Sequence, residues 1–179
     1  MFTLRVDGDI ELELIWDGLA DRLFVAVDDC RDYLREWLGW VDHTQTAADS
    51  REFCRVSLHG YAEGRMVRCA IRYHDEVVGS VSLERITRDT DAAEIGYWLA
   101  QKHQGRGIVT RCVESLTALA FDELDLHRLY IRVADGNLKS SAIPERLGWT
   151  YEGTMREQIR LYGRWHDARL YSRLSSDPR

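Results

Sequence analysis

Two glycines within Gln104-Gly105-Arg106-Gly107 sit where the hydrophobic period of the chain changes, and no other segment constrains the fold as much. Before this junction, residues 93–99 are aliphatic and aromatic in the manner of a strand. After it, Val113, Leu116, Leu119, Ala120 and Leu124 fall on one side of a helix spanning 107–124. A second apolar alternation at 128–133 reads as another strand. Strand, helix and strand over 93–133 predict a right-handed parallel crossover.

The flanking segments extend this into a mixed α/β chain. Ile10-Glu11-Leu12-Glu13-Leu14 alternates as a half-buried strand. From Asp17 a helical stretch carries apolar Leu23, Phe24 and Val27, then Leu34, Trp37 and Leu38. A second helix is expected over 46–60 with Phe53 and Val56 inward. Residues 66–72 and 77–83 read as strands around a short polar gap, His74-Asp75-Glu76. A short helix at 140–147 and strands at 149–159 and 167–174 complete the chain, leaving 175–179 as a frayed tail.

At 179 residues, 45 % hydrophobic and 30 % charged, the chain is one globular domain with enough core to need no metal or disulfide staple. The net charge of −6 shows no basic stripe, which argues against nucleic acid as a partner. Residues 1–63 hold 14 acidic and 6 basic side chains; residues 64–179 hold the other 16 and 18. That acidity is either a solvated helical face or a surface for a cationic partner. No apolar run approaches a membrane span, and no secretory leader pattern is visible, so no membrane partner is expected. Cys30, Cys54, Cys69 and Cys112 form no CxxC pair and fit reduced thiols in a cytoplasm. The six histidines show no metal-binding spacing, so no metal is expected.

The glycine junction carries chemistry as well as a turn. Glycines let successive N–H groups converge, and the helix start adds about half a positive charge. Such a loop suits phosphate or pyrophosphate, although a bare turn before a helix is the plainer alternative. It lacks the Lys-Ser/Thr of a nucleotide-triphosphate loop and the third glycine of a dinucleotide fingerprint. No GxSxG elbow is present, so a hydrolase is unsupported.

Several motifs together resemble the GNAT superfamily, which transfers acyl groups from acyl-coenzyme A to amines. Gln104-x-x-Gly107-x-Val109 is similar to the family's Q/R-x-x-G-x-G/A element, and Ala93-Glu94-Ile95-Gly96-Tyr97-Trp98-Leu99 to the strand before it. Asn137-x-x-Ser140, Glu145-Arg146-Leu147-Gly148-Trp149, Glu152-Gly153-x-x-Arg156, Gly163-x-x-x-Asp167 and Tyr171-Ser172 resemble the C-terminal half of the RimJ/RimL branch. That branch acetylates N-terminal amines of ribosomal proteins. The likeness spans roughly 8–174 and is densest over 93–174; earlier it rests on Trp37-Leu38-Gly39-Trp40.

The resemblance implies a single GNAT domain over 1–174, with a curved mixed sheet of about seven strands and helices on both faces. It implies acetyl-CoA as co-substrate. The backbone of Gln104, Gly105, Arg106, Gly107, Ile108 and Val109, with Thr110, would hold its pyrophosphate. Asn137 would contact the pantetheine, and an N–H near Trp98 or Leu99 the thioester oxygen. Glu94 is the candidate general base, or else an ordinary strand carboxylate. Ser140 is the candidate acid toward the coenzyme A sulfur, with Ser140 or Ser141 as a helix N-cap, Pro144 near the first turn, as the competing reading. Trp37 and Trp40 are either core or a wall of the acceptor groove, bordered by the acidic N-terminal third. His103 is a loop surface group or a phosphate contact. Two positions depart from the pattern. Val109 replaces the usual Gly or Ala and restricts cofactor approach, and Ile159 stands where some members carry a Glu base, so that mechanism does not transfer. The implied acceptor is a primary amine, most simply a protein N-terminal α-amine. A small-molecule amine or a non-catalytic acyl-CoA-binding module are the alternatives. A homodimer is the implied assembly.

Overall fold

The alternation at Ile10–Leu14 becomes strand β2, paired antiparallel with a short strand β1 (Thr3–Arg5) that the sequence did not single out. The computed structural model describes residues 2–178. Helices α1 (Ala20–Asp28), α2 (Arg31–Arg35) and α3 (Ala47–Ala62) follow, then strands β3 (Val67–Tyr73), β4 (Glu76–Thr87) and β5 (Ala92–Leu99). Helix α4 (Ile108–Asp122), strand β6 (Arg128–Ala134), helix α5 (Leu138–Arg146) and the hairpin β7 (Thr150–Leu161) and β8 (Arg164–Leu174) complete the chain.

All strands join one sheet of eight, in the order β1-β2-β3-β4-β5-β6-β8-β7, one strand more than expected. Pairing is antiparallel everywhere except between β5 and β6, the parallel pair that the crossover requires. Alternate residues of β2–β6, among them Leu12, Ile71, Leu83, Ile95 and Ile131, pack on one face against α4. The other face is covered by α1 and α3 through Leu19, Ala20, Leu23 and Cys54. Helices therefore lie on both faces, and β4 between them is buried on both sides from Val77 to Leu83.

Three expectations are corrected. The helical stretch from Asp17 is not continuous. It opens with a 3₁₀ turn at Asp17–Leu19 and breaks at Cys30 (φ −139°) between α1 and α2. Two carboxylates, Asp28 and Asp29, crowd the negative end of α1 with no basic residue in its last turn. Arg31 then donates to the carbonyls of Val41 (2.8 Å) and Thr44 (2.7 Å), folding the following segment back. Helix α3 starts as foreseen, with a reciprocal Thr46–Asp49 capping box, but turns a neighbouring face inward. Ser50, Cys54, Ser57 and Gly60 are buried, whereas Phe53 and Val56 are exposed. Small residues allow close approach: a Cβ on Gly60 would meet Met66 Cγ at 2.7 Å. Phe53 instead lies under the Arg68 guanidinium, 5.0 Å from its ring centroid. Finally, residues 175–178 are not frayed. The Leu174 amide donates to Asp177 (2.9 Å), the Ser175 amide to the His127 carbonyl (2.9 Å), and Arg173 to the Pro178 carbonyl (2.9 Å). Met1 and Arg179 lie outside the described residues.

Glu152 ties β7 to β6 and β8. It accepts from Arg128 at 2.7 and 2.6 Å and from Ser172 Oγ at 2.6 Å. The guanidinium first, then the hydroxyl, holds its carboxyl down to about 2 from the ordinary 4.5. A depressed carboxylate stabilises the fold above its ordinary value, and that contribution disappears as pH falls toward 2. Glu152→Gln should lower Tm near neutral pH by about 2–4 °C. Melting curves should then converge with the wild type between pH 4.5 and about 2.

Candidate active site

The parallel ladder between β5 and β6 contains only Ala92↔Arg128, Ala93↔Leu129 and Glu94↔Tyr130. Beyond Glu94, β5 stays paired with β4 as far as Gly79↔Leu99, and β6 stays paired with β8 as far as Ala134↔Ala168. The two halves of the sheet thus diverge as rigid units. Residues 95–99 and 131–134 present strand edges to the gap, with backbone groups available to an extended ligand. Gly79 permits this course for β5, because a Cβ there would lie 2.3 Å from the Trp98 carbonyl oxygen.

The gap opens into a cleft of about 900 Å³. Gly105 (φ +75°) and Gly107 (φ +69°) are left-handed, the conformation that only glycine adopts without cost. Gly107 is the N-cap of α4, and the first intrahelical bond runs from the Arg111 amide to the Gly107 carbonyl at 3.1 Å. The amides of Ile108, Val109 and Thr110 precede that bond and need an acceptor from outside the helix. Among the described residues the lining carries four cations, Arg106, Arg111, Lys139 and Arg146, and no carboxylate, with Asp7 outside it paired to Arg111. Arg146 donates to Thr110 Oγ1 (2.8 Å), and Lys139 to Gln104 Oε1 (3.1 Å). Gln104 in turn donates through Nε2 to the Tyr33 hydroxyl, joining the loop to α2. A polyanion with an extended arm, such as an acyl-coenzyme A, fits this combination of amides, cations and bare strand edges.

Most expected site residues meet here. Trp98, Leu99, residues 104–110, Asn137, Ser140 and Trp37 all line the cleft. Ile108 and Val109 line the cleft while only 1 % and 8 % exposed, both packed into the core. Asn137 caps α5, accepting from the Ser140 amide at 3.1 Å. That removes the N-cap reading of Ser140 and Ser141 and leaves the Ser140 hydroxyl on the cleft wall, bonded to Tyr97 OH at 3.1 Å. Pro144 sits inside α5 and not near its first turn.

Other residues are placed elsewhere. Trp40 is not in the cleft lining; its ring packs against Trp98 at 6.0 Å. Glu94 accepts from Arg132 at 2.8 and 2.7 Å and from Arg85 at 2.6 Å. Two guanidiniums occupy its oxygens at the foot of the gap, and Glu94 is not part of the cleft lining. Asp28, Asp29, Asp32 and Glu36 are exposed and contribute nothing to the lining; of the acidic N-terminal third, Asp7 reaches a lining residue, pairing with Arg111. His103 is 7 % exposed, not a surface group, with Nε2 3.5 Å from Glu76 Oε2 and its ring edge-on to Tyr73. Sequence reasoning missed Tyr33, Tyr97, Arg111, Lys139 and Arg146. The seven-residue spacing of Lys139 and Arg146 along α5 was the one available signal.

Residues 16–150 match the family model described as "Acetyltransferase (GNAT) domain". The chain is a GNAT acetyltransferase. It falls in the RimJ/RimL-like branch. It is 33 % identical, over 99 % of its length and 97 % of the relative's, to the putative ribosomal N-acetyltransferase YdaF of Bacillus subtilis (strain 168). RimL, a ribosomal L7/L12 α-N-protein acetyltransferase solved with coenzyme A, superposes with a TM-score of 0.94 at 25 % identity, covering 98 % of this chain and 100 % of that one. The microcin C7 self-immunity acetyltransferase MccE, solved with acetyl-CoA and AMP, gives a TM-score of 0.93 at 27 % identity over 96 % and 95 % of the two chains.

Within this acetyltransferase, Lys139→Ala and Arg146→Ala should each raise KM for acetyl-CoA about three- to tenfold, the loss of one charge-assisted contact. Initial rates should show kcat changed less than about twofold, because uniform binding is what each removes. Gly79→Ala should instead cost about 1–3 kcal/mol in denaturant unfolding, since β5 must move from β4.

Proposed function

We propose that this acetyltransferase acetylates the N-terminal α-amine of a protein, of the ribosomal-protein kind, by direct attack on acetyl-CoA in a ternary complex. The observation that carries the acceptor class is a cleft whose described lining holds no carboxylate, with Glu94, the base expected from sequence, held by Arg85 and Arg132. With no strong base to deprotonate the acceptor, its own pKa decides. At pH 7.5 an α-amine near 7.8 is about one-third neutral, whereas a lysine-type amine near 10.4 is about 0.1 % neutral. The names of YdaF and RimL point the same way.

Direct transfer is favoured by the thiols. No cysteine lines the cleft, and burial pushes Cys54 up to about 11 and both Cys69 and Cys112 to about 12, so none is a ready nucleophile. In this reading the neutral amine attacks the thioester carbon, and a backbone amide near Trp98 or Leu99 faces the oxygen as charge grows on it. Asn137 and the loop 104–110 hold the donor. As the carbon–sulfur bond breaks, the Ser140 hydroxyl gives its proton to sulfur; the proton released by the new amide nitrogen returns to Ser140 through water.

The four cysteines are all free, which suits action in the cytoplasm. A homodimer belongs to the same reading, with exposed Tyr151, Tyr162 and Trp165 on the β7–β8 hairpin as its apolar contact. A small-molecule amine is the second reading, favoured by the likeness to MccE, solved with AMP.

Thiol release should be measured with Ser-, Ala- and Met-starting peptides beside spermidine and lysine. Peptides should lead at pH 7.5 by about tenfold or more, and the gap should narrow toward pH 9.5 as alkylamines deprotonate. Faster turnover of a small amine at neutral pH would transfer the assignment to the second reading. Ser140→Ala should lower turnover about tenfold or more with the fold intact.

A further inference from the structure

Pro144 occupies the interior of α5, four residues after Ser140. A proline has no N–H, so the Ser140 carbonyl loses the helical donor that any other residue at 144 would supply. Tyr97, on the edge strand of the gap, fills that vacancy: its hydroxyl donates to the Ser140 carbonyl at 3.0 Å. The same phenol oxygen accepts from Ser140 Oγ at 3.1 Å. One side chain on β5 therefore grips both the backbone and the hydroxyl of one residue on α5. We propose that Tyr97 is a positioning residue for Ser140, anchored by the carbonyl that Pro144 leaves free and holding the serine hydroxyl at the cleft wall until sulfur replaces it as acceptor.

The proposal rests on the reading in which Ser140 protonates the departing sulfur. Burial raises the Tyr97 phenol above its ordinary range, outweighing the opposing bond from Ser140, so it stays neutral and can donate and accept at once. A phenol in that state does not itself surrender the proton. The Ser140 proton goes to sulfur, Tyr97 keeps its own, and Ser140 is reprotonated as described above. The two grips are geometrically coupled. Losing the phenol oxygen frees the serine side chain to other rotamers even though the aromatic ring still fills its place.

The test compares Tyr97→Phe, Ser140→Ala, their combination, and Tyr97→Phe with Pro144→Ala. Tyr97→Phe should lower kcat about five- to tenfold while KM for acetyl-CoA stays within about twofold, the pattern of a group acting after donor binding. The combination of Tyr97→Phe with Ser140→Ala should be no more than about twofold slower than Ser140→Ala alone, since both act on one hydroxyl. Pro144→Ala restores an N–H for the Ser140 carbonyl. Added to Tyr97→Phe, it should recover lost thermal stability without recovering turnover. If turnover returns with stability, Tyr97 only supports the helix and the proposal is overturned. Losses that multiply in the combination also overturn it, as does wild-type turnover in Tyr97→Phe beside a slow Ser140→Ala. Wild-type turnover in Ser140→Ala removes the serine role itself, and the positioning role with it.

Discussion

Parallel strands are held by evenly spaced, slanted hydrogen bonds, and in this sheet the one parallel ladder stops after three residue pairs. Each strand remains bonded on its outer side, β5 to β4 and β6 to β8, so the divergence is fixed by the sheet and is not a fraying edge. A parallel crossover also dictates where its loop must lie. The chain leaves β5 at its C-terminal end, and α4 begins there, so the helix start and its free amides arrive at the mouth of the gap. The free helix amides and the bare strand edges thus coincide because of topology. The side chains of α2 and α5 only wall in what the ladder has opened.

The unit over 93–133 was legible because its signals are local. Period-two and helical spacing meet at two glycines, and both glycines prove left-handed. What escaped was set by distant partners. Glu94 reads in sequence as a lone carboxylate beside the acyl site. Its environment is decided by Arg85, at a left-handed bulge in β4 (φ +54°), and by Arg132 across the ladder. Phe53 and Val56 carry more apolar surface than the residues beside them in α3, yet the tight approach of Met66 to Gly60 selects the small-residue face. The break at Cys30 depends on carbonyls ten and more residues downstream that Arg31 must reach.

The charge split of the sequence has a different basis from the one expected. Acidic residues of α1 and α2 face solvent or pair with neighbours, as Asp28 does with Arg31. The asymmetry that bears on chemistry is within the cleft itself, where the described lining holds four cations and only Arg111 has a carboxylate partner, Asp7. Charge counted along the chain and charge counted around a cavity are different quantities. Only the second acts on a ligand in a site partly closed to water.

That cationic lining also bears on how the catalytic cycle ends. The acetyl group contributes no charge to its carrier, so free coenzyme A presents the same phosphates to Arg106, Arg111, Lys139 and Arg146 as the acetylated form does. In the proposed reading the loop would hold product as it holds donor. Release of the spent carrier would then compete with fresh loading, and output would follow the ratio of acetylated to free coenzyme A as well as the supply of amine.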